Sequence, residues 1–154
     1  MDSLWVVSVI TITRYRQTIM RHKFSDRHLN MAFRNDRRRD IDSPDGYGKN
    51  TGRCGDTVEI YLVVDQDRIG GVYFQTNGCL NTTACSNTLA ELAIGKRIDE
   101  AWQLTPGHII SYLQTLPADH HHCAELVVGA LYHALMDLSS SGGKSWKKLY
   151  RVQR

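Results

Sequence analysis

Three cysteines of the 154-residue chain stand where one predicted element gives way to the next, so rigid elements can bring their sulfurs to one crevice. Cys54 lies in "RCGD" just before a strong strand pattern, Cys79 in "NGC" between a strand and a helix pattern, and Cys123 in "HHHC" at the head of a helix. Glycines beside Cys54 and Cys79 permit close or unusual backbone paths. A thiol at a helix N-terminus faces amide protons, which lower its pKa and favour the thiolate that both metal binding and sulfur transfer require. Cys79 and Cys123 are therefore candidate sulfur acceptors as well as candidate ligands.

The separations, 25 residues and then 44, match no zinc-finger or ferredoxin spacing, so spacing alone is weak. Chemistry adds more. Cys54, Cys79 and Cys123 with either Asp56 or His122 offer a four-ligand set that fits zinc, and also an iron–sulfur centre in which oxygen or nitrogen replaces one thiolate. An oxygen ligand holds a cluster less firmly, which suits a protein that gives its cluster away. Asp56 can instead serve to close the turn around Gly55.

The fourth cysteine, Cys85, falls six residues beyond Cys79 and well inside the predicted helix, where it reads as a small buried hydrophobe of structural role. In the run His120-His121-His122, successive residues cannot all face one site. His122, adjoining Cys123, is the best ligand candidate, and His120 is a supporting group at or just outside the ligand set. His22, His28, His108 and His133 lie in helical or charged surroundings and read as structural. No nucleophile elbow, phosphate loop or metalloprotease helix motif occurs, so hydrolase chemistry is disfavoured and no catalytic residues are expected.

The elements that must position these groups follow from periodicity. "FSDRHLNMAFRN" reads as a short helix, and "DRRRDIDSPDGYGKNTGRCGD" as loop. From Thr57 the period becomes two: Val58, Ile60, Leu62 and Val64 alternate with Thr57, Glu59, Tyr61 and Val63, a half-buried strand. "DQDR" turns the chain into a second strand, "IGGVYFQT", and the pair should be antiparallel. The β-branched opening segment is the candidate for a further strand at the sheet edge. Asn81 or Thr82 should cap a helix over about Thr83 to Ile94, stopped by Gly95. Thr105-Pro106 opens another helix, and Ala124, Val127, Val128, Leu131, Ala134, Leu135 and Leu138 mark one apolar face of a third. The expected fold class is α+β: a small antiparallel sheet of about three strands with helices packed on one face.

Length suits a single domain with its own core. The expected division is an N-terminal extension at 1–23, a core domain at 24–138, and a basic flexible tail at 139–154. The basic charge lies toward the two ends of the chain. Residues 14–40 carry nine Arg/Lys against three Asp, and residues 141–154 carry five and no acid, whereas residues 50–138 carry four against ten Asp/Glu. A nucleic-acid binder puts a basic stripe on its folded body, and here the body is acidic. The nine-residue apolar run "LWVVSVITI" is too short to span a bilayer. The reading is a cytoplasmic protein with reduced thiols and no nucleic-acid or membrane partner.

In order along the chain, "CGDTVEIYLVV", "FQTNGC", "LAELAIGKRIDEAW" and "LPADHHHCAELVVGALYHAL" together resemble the iron–sulfur cluster assembly scaffolds of the IscU/NifU N-terminal type, over about residues 24 to 138. The resemblance matches the family's Cys-Gly-Asp motif to Cys54, Gly55 and Asp56, its glycine-cysteine to Gly78 and Cys79, and its histidine-cysteine to His122 and Cys123. It implies transient assembly of a [2Fe-2S] cluster on the three cysteines, with Asp56 or His122 completing the coordination and Asp56 assisting release. It further implies sulfur supplied as persulfide by a cysteine desulfurase, and delivery to apo acceptor proteins.

Two departures bear on partners. Where the family commonly has Leu-Pro-Pro-Val-Lys, gripped by an Hsp70-type chaperone, this chain has "LPADH", Leu116 to His120. Loss of the second proline and the lysine counts against chaperone-dependent release and puts His120 at the lysine position. "DRRRD" replaces a usual Pro-Arg-Asn-Val-Gly-like segment, which bears on desulfurase docking. The alternative reading is a zinc-bound persulfide acceptor that relays sulfur without building a cluster; a binding module that assembles nothing is the third.

Overall fold

The computed structural model describes residues 23–53 and 55–140. The apolar opening segment, Cys54 and most of the basic tail fall outside the described residues. Helix α1 (Asp26–Phe33) is followed by a three-stranded sheet, β1 (Gly46–Thr51), β2 (Thr57–Asp65) and β3 (Arg68–Thr76). Helices α2 (Leu80–Ala93), α3 (Ile98–Ala101) and α4 (Pro106–Leu113) come next. A 3-10 turn (Ala118–His120) then leads into α5 (His121–Ser140). The strand order is β1-β2-β3, with both pairings antiparallel.

The period-two pattern places Val58, Ile60 and Leu62 of β2 on the buried face, opposite Thr76, Phe74 and Val72 of β3. Their partners across β1 are Asn50, Gly48 and Gly46. The other face carries a row of tyrosines, Tyr47, Tyr61 and Tyr73, in register. That row is half-buried, because Arg39 lies 5.0 Å over the Tyr73 ring and Asp40 accepts a bond from the Tyr61 hydroxyl. The helices cover the first face. Helix α5 lies along β1 and β2, and α2 packs between α5 and β3.

Strand β1 falls inside the stretch the sequence reads as loop. Its composition, "GYGKNT", is poor in strand formers, and the reason is steric. A Cβ on Gly46 would stand 2.6 Å from the Ala134 carbonyl oxygen, and one on Gly48 would overlap the Ala130 carbonyl and the Ala134 amide nitrogen. Helix α5 rides so close on the strand that only glycine fits inward, and the hydrophobic alternation that marks β2 is absent.

Helix α5 matches its predicted apolar face, with Ala124, Val127, Val128, Leu131, Ala134 and Leu135 all buried. Gly95 ends α2 with φ of 85°, and Pro106 opens α4 after Thr105. Helix α2 begins earlier than expected. Its N-cap is Cys79 itself, with no side-chain capping bond, so Asn81 and Thr82 lie within the first turn and their side chains serve other contacts.

Candidate metal centre

The antiparallel register fixes where the cysteine-bearing segments meet. Thr51 pairs with Thr57 and Val58 with Thr76, so the β1–β2 connection and the end of β3 share one end of the sheet. The Asn50 amide donates to the Leu126 carbonyl at 3.1 Å, which brings the first turns of α5 to that same end. Gly52, Arg53, Gly55 and Asp56, Asn77 to Cys79, and His120 to Cys123 therefore converge, although long stretches of sequence separate them.

The ligand-capable atoms of Cys79, His120 and Cys123 all lie within 4.8 Å of one another. Cys79 is exposed and Cys123 is buried, 1% accessible. The Cys123 Sγ is 3.9 Å from His120 Nδ1 and 3.7 Å from His122 Nε2, and the two imidazoles stack with centroids 5.9 Å apart. His121 turns away, its Nε2 lying 3.3 Å from the Leu116 carbonyl oxygen. The exposed His122 also lines an open groove of about 560 Å³ with Arg53 and Glu125.

Asp56 sits half-buried at the end of a tight loop, where Gly55 has φ of 84° and the Gly52 amide donates to the Asp56 carbonyl at 2.8 Å. Its carboxylate is near enough to Cys123 to disfavour the thiolate there. Cys54 lies outside the described residues. Cys85 is fully buried in α2, and burial pushes its thiol pKa up.

Thr82, an expected helix cap, has another place in the structure. The Thr82 hydroxyl donates to Cys123 Sγ at 3.5 Å and lies 3.8 Å from Cys79 Sγ, joining the two thiols. Its spacing of three from Cys79, on the first turn of a helix, is the signal that could have found it. Gly78 makes room for this bridge, since a Cβ there would stand 2.6 Å from Thr82 Oγ1.

The Cys123 thiol differs from expectation. A helix-start cysteine should be acidified, yet burial pushes Cys123 up to about 11, against which the Thr82 hydrogen bond pulls downward. In the metal-free protein this thiol stays protonated at neutral pH. A bound cation, which competes with the proton, is what would ionise it.

Two thiols and an imidazole suit zinc, ferrous iron and iron–sulfur species, and exclude the all-oxygen chemistry of calcium and magnesium. No helix among the described residues is long and apolar enough to cross a membrane.

Similarity to known proteins agrees with this donor set. The chain is 37% identical over 105 residues to "Iron-sulfur cluster assembly scaffold protein IscU 1" of Archaeoglobus fulgidus, covering 68% of this chain and 69% of that protein. It is 28% identical over 133 residues to the scaffold protein IscU of Aquifex aeolicus, covering 84% and 79%. A NifU-like protein (N-terminal) from Brucella abortus shares the fold, with a TM-score of 0.63 at 18% identity over 75% of this chain and 94% of that one. The sequence profile of the NifU-like N terminal domain matches residues 14–144, and the chain belongs to that family.

Proposed function

We propose that this protein is a scaffold on which a [2Fe-2S] cluster is assembled from iron and desulfurase-derived sulfur, and from which the cluster passes to apo acceptor proteins. The observation that carries the reading is the convergence of Cys79, Cys123 and two imidazoles at the sheet end near Asp56, in a chain of this family. The cluster is cargo. Cys54, Cys79 and Cys123 are its thiolate ligands in this reading, and Asp56 or His122 completes the set.

Exposure divides the work between the thiols. Cys79 is open to a partner and Cys123 is not, so Cys79 is the entry point for sulfur. Its thiolate attacks the outer sulfur of the desulfurase persulfide, a new sulfur–sulfur bond forms, and the desulfurase thiolate leaves. Release of that sulfur as sulfide takes two electrons from an external reductant. Asp56, a harder oxygen donor than thiolate, weakens the hold on the finished cluster and favours its departure. The protein is then an acceptor and carrier rather than an enzyme, working where thiols stay reduced, as in the cytoplasm.

Anaerobic reconstitution with iron, a cysteine desulfurase and cysteine tests this. Near-equal iron and sulfide, a visible sulfur-to-iron charge-transfer spectrum, and transfer to an apo-ferredoxin are the expected result. A colourless protein that keeps zinc and carries a persulfide on one cysteine would replace it with the sulfur-relay reading.

A further inference from the structure

Helices α1 to α4 border an open groove of about 470 Å³, to which α1 contributes Arg27, α2 Leu92, α3 Glu100 and α4 His108 and Tyr112. It lies toward the end of α2 away from the thiols: at 1.5 Å per residue, Leu92 stands about 20 Å along the helix from Cys79. Leu104 is buried and Leu92 and Tyr112 are half-buried, which gives the groove an apolar floor. Its rim is cationic. The Arg27 guanidinium lies over the Tyr112 ring, 5.0 Å from the centroid. Lys96 is held by its backbone, whose amide donates to the Ala93 carbonyl and whose carbonyl accepts from the Ile69 amide. Among the described residues no carboxylate lies within 4.0 Å of either cation. Glu100 is the one acid in the lining, and its carboxylate accepts from the Arg97 amide at 3.3 Å, at the start of its own helix. His108 Nδ1 accepts from the Thr105 amide at 3.0 Å, which puts the ring proton on Nε2 and makes that nitrogen a donor.

An apolar floor rimmed by cations that no acid satisfies calls for a ligand that carries apolar and carboxylate groups together. The two ends of this chain beyond the described residues do not meet that need. Residues 1–22 carry three Arg against one Asp, and residues 141–154 carry five Arg/Lys and no acid, so charge opposes both. We propose that the groove docks an acidic amphipathic helix of a partner protein, its apolar side chains on Leu92, Leu104 and Tyr112 and its carboxylates on Arg27, Lys96 and His108. A helix seated there leaves Cys79 open, so a partner can hold the protein while exchange proceeds at the other end of α2. The groove needs neither the thiols nor a metal, and the inference goes beyond the scaffold reading without resting on it.

The test uses the full chain, labelled with nitrogen-15, and a synthetic helical peptide of about four turns with leucines on one face and glutamates flanking them. Saturable amide shifts should centre on Leu92, Lys96, Leu104 and Tyr112, and affinity should fall about tenfold between about 50 and about 300 mM salt. A peptide with lysine in place of every glutamate should not bind. The Arg27→Glu, Lys96→Glu double variant should weaken binding of the acidic peptide about tenfold or more, whereas Arg53→Glu, in the groove beside the metal centre, should leave it unchanged. No saturable shift up to about 1 mM peptide, shifts centred elsewhere, or equal binding by the lysine peptide or by the folded double variant would overturn the proposal. Groove amides that move with protein concentration alone would also overturn it, by assigning the face to a second copy of this chain. Cluster reconstitution is no part of this readout, so either reading can fail while the other stands.

Discussion

Thr82 Oγ1 donates a hydrogen bond to Cys123 Sγ at 3.5 Å, and through it the first turn of α2 helps set the acidity of a thiol on α5. Burial pushes Cys123 up to about 11, and this bond is the contribution that lowers it. Thr82→Val keeps the shape and removes the donor, so the thiolate should become harder to form. Because the metal must displace that proton, zinc affinity at neutral pH should fall about fivefold, the equivalent of a hydrogen bond of about 1 kcal/mol. Thr82→Ser should restore it. Equal affinity in Thr82→Val and the parent would show that the contact does not govern Cys123.

His28 links α2, the helix that starts at Cys79, to the rest of the helical layer in a pH-dependent way. It is 2% accessible, with Nε2 3.0 Å from Asn81 Oδ1 at the start of α2 and Nδ1 3.1 Å from Thr115 Oγ1. A neutral ring protonated on Nε2 donates to the amide oxygen and accepts from the hydroxyl. Burial is the main cause holding its pKa below 6.5, so the folded state prefers the neutral ring. The unfolded chain then binds the extra proton first. Stability from this site is complete above the unfolded pKa of 6.5 and is lost as pH falls toward the lowered folded value. Urea midpoints of the metal-free protein should drop between about pH 7.5 and about pH 5.5, a window spanning the ordinary histidine pKa. In His28→Gln that slope should shrink. The same slope in parent and variant would assign the effect to other groups.

Strands β2 and β3 and helix α5 were legible because burial on one side leaves a period in the sequence, as Val58, Ile60 and Leu62 show. Cys79 and Cys123 were legible as residues at element starts for the same reason. Strand β1 was not, because its inward positions 46 and 48 are glycines imposed by the α5 backbone and 50 is a polar Asn bonded to α5, tertiary demands that a local pattern does not carry. The start of α2 was missed because the expected caps, Asn81 and Thr82, are taken up by His28 and the thiols. Adjacency in sequence favoured His122, whereas the 3-10 turn also brings His120 Nδ1 within 3.9 Å.

The close seat of α5 on β1 gives a steric test of the fold that positions the site. In Gly48→Ala the new methyl would meet the backbone at Ala130 and Ala134, and backbone cannot move aside as a flexible side chain can. Either α5 lifts or β1 shifts, and both disturb packing against Val58, Ile60 and Leu62. A loss of about 3 kcal/mol is expected from overpacking of this kind, measured by denaturant unfolding of the metal-free protein. Gly70→Ala is the matched control. Its nearest atom is the Asp65 Cβ at 3.4 Å, on an exposed position of the same sheet, so stability should change by no more than about 0.5 kcal/mol. The Asn50–Leu126 bond ties this packing to the start of α5. A folded Gly48→Ala protein should therefore also bind zinc more weakly than the control, since displacement of α5 moves Cys123 relative to Cys79. Equal unfolding midpoints for the two alanine variants would mean that α5 does not lie this close to the strand.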